Sequence, residues 1–170
     1  MMEMTAPTGG DEHVCAVRSA AAVAVALMAQ GETQGAFDSL MAFLHESEGS
    51  PNSLESLLTV LCEGSATMAS TLGVFVGSVE PIMIGVLDDD LRPMSIDQAA
   101  PVERTFVRAL LAEIHGDREA TLNQIHLAFA TVDPQQVCDL MMRTLAGTAA
   151  LVQACHQNDL PIPGWLANSH

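Results

Sequence analysis

The residues best equipped for chemistry in this chain are six histidines, four cysteines, ten methionines and a run of three aspartates. A di-iron or zinc centre between helices needs Glu-x-x-His on facing helices, or two histidines one turn apart, so that the ligands leave one face together. Neither spacing occurs. The nearest pairs, His45-Glu46 and Glu113-x-His115, diverge around a helix. Asp88 to Asp90 offer hard carboxylate oxygens, but Arg92, Pro93 and Met94 follow where a calcium loop needs further oxygen ligands and a late Glu. An acidic turn is expected there, and no metal or cofactor anywhere. No spacing places a Ser or Cys nucleophile beside a base. Nucleophile-elbow, phosphate-loop and dinucleotide fingerprints are absent, because the glycines fall singly at the ends of helical patterns. The expectation is a protein that is not an enzyme.

Side chains suited to binding are more evident. Met68, Met141 and Met142 lie on long helical patterns, and methionine either fills irregular core gaps or lines adaptable grooves. His126 sits beside the Ile125/Phe129 stripe and is expected at the edge of the core. His45, His115 and His156 fall near helix C-termini, where the dipole favours a cation. Trp165, the sole tryptophan, stands in a Pro-containing tail and is expected to fold back onto the bundle; its alternative use is as an anchor for another chain. Met68, Met141, Met142, Phe129, His126 and Trp165 are therefore the candidate contacts for a partner or pocket.

Composition narrows the partners. Six Arg, no Lys and 21 acidic residues give a formal net charge of −15. Scattered Arg cannot replace the counterions of a phosphate backbone, so nucleic acid and anionic membrane surfaces are poor partners. Cys15, Cys62, Cys138 and Cys155 contain no C-x-x-C pair, and each lies in an apolar helical pattern. Reduced, buried thiols in a cytoplasmic protein are expected. The apolar segment around "AAAVAVALMA" follows Asp11 and Glu12 rather than a basic lead, and "GSATMASTLGVFVGSV" spans 16 residues, fewer than the ~20 of a membrane helix. Both are expected to be buried.

These side chains must be positioned by helices. Low aromatic content and an Ala, Val, Leu and Met core favour an all-α fold. Residues 1–10 lack periodicity and read as a flexible lead-in. A single domain follows over 11–158, in which helices of about 11–30 and 33–46 precede a long one from Ser50-Pro51. A connector over 79–100, with a short hairpin as one reading, separates these from helices at about 101–115, 117–131 and 134–157; 159–170 form the tail. The order repeats. "GETQGAFDSLMAFL" matches "GDREATLNQIHLAF" at an offset of 85, and Pro51 and Gly64 match Pro134 and Gly147 at 83. Two similar three-helix units, 11–78 and 101–157, predict a six-helix bundle or short α-solenoid. The glycines would let the long helices approach at the bundle centre or at a dimer seam.

The leading functional expectation is a helical protein–protein interaction module, an adaptor or regulator with an acidic surface, for which a homodimer is one arrangement. The alternatives are a small-molecule module with a Met/Phe-lined apolar pocket, and an acidic mimic of DNA.

Overall fold

The long helices carry the core, because only they offer apolar residues around most of their circumference. In a computed structural model the chain is all-α, with residues 9–47, 52–75, 86–87, 92–131 and 133–167 described. Among them are α1 (Gly9–Ala29), α2 (Thr33–Glu46), α3 (Ser53–Phe75), α4 (Pro101–Ile114), α5 (Arg118–Thr131), α6 (Pro134–Gln157) and a single turn, α7 (Gly164–Ala167). Leu57, Leu58, Leu61 and Met68 of α3 meet Leu145, Thr148 and Cys155 of α6, all fully or almost fully buried. Each such Leu contributes about 1.5–3 kcal/mol by leaving water. Helix α1 packs on α2, α3, α6 and α7, while α4 packs on α5 and α3.

The seam between α3 and α6 is polar at one point. Ser65 Oγ lies 2.9 Å from Thr148 Oγ1, both buried, and the two residues are 83 positions apart. Thr148 donates its own proton to the Thr144 carbonyl at 2.8 Å, which leaves Ser65 as the donor to Thr148. The close approach expected of Gly64 and Gly147 is thus made one residue later in each helix. Gly64 instead accommodates the Trp165 ring, whose Cζ2 lies 2.8 Å from where a Cβ would stand, and Gly147 has nothing within 4 Å of that point. The tail reaches this position with Leu166 buried.

Helix ends follow their sequence signals. Gly31 (φ +82°) and Gly116 (φ +76°) take the left-handed position after α1 and α4. Around them the backbone repeats: Glu32 N–H donates to Leu27 O and Asp117 N–H to Ala112 O, both at 2.9 Å. Gly31 N–H to Met28 O and Gly116 N–H to Glu113 O are both 3.0 Å. This is the six-to-one closure that satisfies the last carbonyls of a helix. α6 ends the same way, with Asp159 (φ +53°) in place of glycine and Leu160 N–H donating to Cys155 O at 2.9 Å. At its start, Asp133 accepts from Gln136 N–H at 2.9 Å while Gln136 Oε1 accepts from Asp133 N–H, a reciprocal cap with Pro134 in the first turn.

Of the connector, Val86–Leu87 (β1) pairs antiparallel with Pro93–Met94 (β2). A 3₁₀ turn, Ile96–Gln98, follows, capped by Ser95. Residues 1–8, the Ser50-Pro51 start signal and Asp88 to Asp90 lie outside the described residues. α1 begins at Gly9, two residues ahead of the expected Asp11.

By length and composition alone, Gly10–Ala29 and Ser53–Val74 are long and apolar enough to cross a membrane. The second reaches that length because the helix adds the leucine-rich turns before the 16-residue uncharged run. Core helices meet the same criterion, and Leu57, Leu58, Leu61, Cys62 and Met68 on it are buried in the bundle.

Candidate functional site

The first turns of α6 and one face of α2 stand apart, and the space between them is an apolar groove of about 400 Å³. Phe37, Leu40, Met41 and Leu44 line it from α2, Leu54 from α3, and Pro134, Val137, Cys138, Met141 and Met142 from α6. All ten side chains are apolar or weakly polar. On α2 these residues recur at i, i+3, i+4 and i+7, so one helical face points into the groove. Ala36 and Leu40 anchor the adjacent face in the core, while Met41 stays 45% exposed. The lining holds no charged side chain, so what the groove offers chemically is apolar surface open to water.

At the positions that match in sequence, the lining is polar rather than apolar. Adding 85 to α2 positions gives α5, and subtracting 83 from α6 positions gives α3. There α5 rests directly on α3. Met41 corresponds to His126 and Cys138 to Glu55, and His126 Nδ1 lies 3.1 Å from Glu55 Oε1. A polar contact thus spans α3 and α5, whereas two sulfur side chains stand at the matching positions of α2 and α6.

Beside that contact, a polar cavity of about 450 Å³ lies among α1, α3 and α5. Its charges are largely paired. Glu63 meets both Arg18, at 3.7 Å, and Arg118, which also reaches Glu113 at 3.3 Å. Glu103 and Arg143 pair between α4 and α6. Burial pushes the nearby Cys62 thiol up to about 12; the Glu113 carboxylate adds to the rise and Arg118 opposes it. Burial also raises Cys155. Both thiols are therefore protonated near neutrality and poor nucleophiles. Among the described residues no group of three or more His, Cys, Asp or Glu is arranged to hold a metal ion.

Of the six candidate contacts, the structure brings together Met141 and Met142, which share the groove wall. Met68 is fully buried in the core. Phe129 packs against the core from α5, and Trp165 covers Gly64. His126 is not at a core edge: its side chain is 79% exposed and turned toward Glu55. The reason is a stripe shifted by one residue. Thr121, Ile125 and Ala128 are the buried face of α5, and Leu122 is 45% exposed. Thr121 can be buried because its hydroxyl donates to the Asp117 carbonyl at 3.0 Å. The cysteines also divide, Cys62 and Cys155 buried, Cys138 half-buried and Cys15 exposed, all unpaired. Phe37, Met41, Val137 and Cys138 were not among the sequence candidates. The signal for them was present in the half-to-half alignment, where Met41 stands in place of His126.

No protein-family model, curated protein or solved structure matches the chain.

Proposed function

We propose that this chain is a non-enzymatic helical binding module, an adaptor or regulator, that engages another protein through the groove between α2 and α6. The groove carries the reading: ten apolar or sulfur side chains frame one open concave surface, and Met41, Met141 and Met142 give it the adaptable lining that partner grooves use. The reading includes two similar three-helix units, 11–78 and 101–157, related by a local twofold. Two observations support that relation. The turns at Gly31 and Gly116 repeat bond for bond at an offset of 85. Ser65 and Thr148, equivalent at an offset of 83, touch each other, as equivalent residues do only on a twofold axis. Four unpaired cysteines favour a reducing, cytoplasmic setting.

The volume favours a second reading. About 400 Å³ falls within the range of small-molecule pockets, so an apolar metabolite is the alternative occupant. Binding of the neutral dye Nile red tests whether the groove is an accessible apolar site. Saturable binding lost in Met41→Glu and Met142→Glu but kept in Leu122→Glu, an exposed apolar position on α5 outside the groove, is the expected pattern. Binding that ignores the two groove substitutions overturns the site.

A further inference from the structure

Sulfur gathers in the groove between α2 and α6. Four of its ten lining side chains are Met41, Cys138, Met141 and Met142, in a chain whose 170 residues include ten Met and four Cys. Cys138, Met141 and Met142 stand at i, i+3 and i+4 on α6, so they share one helical face, and Met41 lines the same groove from α2. The positions that match them in sequence, His126, Glu55, Leu58 and Thr59, carry no sulfur. We propose that the groove binds a single copper(I) ion, with Cys138 as a thiolate ligand, Met41 and Met142 as thioether ligands, and the buried Met141 beside them. The proposal rests on the groove of the preceding reading being open, and does not depend on a protein entering it.

The donor set selects the ion. Thioethers suit soft monovalent copper, whereas zinc takes thiolate, imidazole or carboxylate, and calcium and magnesium take oxygen. No Asp, Glu or His side chain lines the groove. Charge agrees with softness. One thiolate and two neutral thioethers cancel the single positive charge of copper(I), so the complex sits in apolar surroundings as a neutral body. A divalent ion on the same ligands would leave one uncompensated charge there. On binding, the Cys138 S–H bond breaks, the sulfur gives its electron pair to the metal, and the proton leaves to solvent; copper keeps its oxidation state. Access separates these residues from core filling. Met68 is sealed in the core, while Met41 is exposed and Cys138 and Met142 are half-buried. Three rotatable bonds let each methionine aim its sulfur at a metal held on Cys138.

Anaerobic titration of the full chain with copper(I), in competition with the chromogenic chelator bicinchoninate, measures stoichiometry and affinity. One equivalent is expected to pass from the chelator to the protein. Silver(I), a diamagnetic stand-in of the same charge, should shift the carbon-13 methyl signals of Met41 and Met142 and leave that of Met68 in place. Exchange of Met for Leu keeps volume and apolarity. Met41→Leu with Met142→Leu should therefore keep Nile red binding while copper(I) affinity falls about tenfold or more, the loss seen even for groups that touch a metal only through its ligands. Cys138→Ser should lose the ion with its circular dichroism unchanged, and Cys15→Ser, at the exposed thiol of α1, should retain it. Copper(I) held equally by the wild type, the double Leu variant and Cys138→Ser overturns the site. Zinc that displaces copper(I) at equal concentration overturns it as well, and so does loss of the ion in Cys15→Ser. No uptake of copper(I) while Nile red binds overturns the metal and leaves the groove reading standing. Loss of dye binding with copper(I) retained does the reverse, and failure of both overturns both.

Discussion

Gly64 and Gly147 stand in matching sequence positions on two long helices, yet the same substitution should affect stability differently at each. Alanine for glycine inside a helix gains about 0.5–1 kcal/mol from reduced backbone freedom. At Gly147 nothing lies within 4 Å of the new Cβ, so that gain stands alone. For a chain of this size it raises Tm by about 2–4 °C per kcal/mol. At Gly64 the Cβ would stand 2.8 Å from Trp165 Cζ2, 3.5 Å from Cη2 and 3.7 Å from Leu166 Cδ1. The indole is rigid and must shift as a unit, and overpacking of this kind costs about 1–3 kcal/mol. The helix contribution is common to both variants, so Gly64→Ala should fall below Gly147→Ala by about 1–3 kcal/mol. Urea denaturation followed by circular dichroism measures the difference. Trp165 emission, with no other tryptophan to obscure it, should change in Gly64→Ala only. In a Trp165→Ala background the clash disappears and Gly64→Ala should become stabilising. Equal stabilisation by both glycine substitutions, or no coupling to Trp165, would refute the placement of the tail over α3.

Gly31→Ala and Gly116→Ala meet no atoms, only left-handed backbone, so each should destabilise by about 1–2 kcal/mol in thermal melts. Asp159→Gly should stabilise by about 1 kcal/mol, since it relieves the same strain and removes a carboxylate from the negative end of α6. Thr148→Val strands the Ser65 hydroxyl and should cost about 1–3 kcal/mol, whereas adding Ser65→Ala to it should recover part of the loss in the same denaturation assay. The raised Cys62 pKa favours the folded state fully below the ordinary thiol value of 9.0, and that contribution fades as pH climbs toward about 12. Stability should therefore drop across that alkaline window, and less steeply in Cys62→Ala. With a thiol reagent at pH 8, exposed Cys15 should react first, and Cys62 and Cys155 only after denaturant is added.

The helices were legible because their signals are local. Asp133 and Gln136 announce a reciprocal cap, Gly31 and Gly116 announce left-handed ends, and the 3.6-residue period marks every long helix. Faces were less legible. Hydropathy puts Leu122 inside and Thr121 outside α5, but Thr121 satisfies its hydroxyl on a carbonyl one turn back and takes the buried place. His126 then points outward to a partner 71 residues away, which no pattern along the chain encodes. Gly64 and Gly147 read alike in sequence and differ only because the tail returns to one of them. The groove was the least legible feature. It arises from the standing-off of α2 from α6, a consequence of packing among three helices, and its one trace in the sequence is Met41 where the other half has His126.

The ten methionines supply the most direct measurement of the groove itself. Carbon-13 methyl spectra of methionine-labelled protein, recorded during titration with Nile red, report each thioether separately. The expected result is that Met41, Met141 and Met142 shift together and saturate at one equivalent, while Met68, sealed in the core, and Met28, on α1, keep their positions. Shifts confined to Met28 or Met68, or no shift at any of the three groove methionines, would contradict a binding site between α2 and α6.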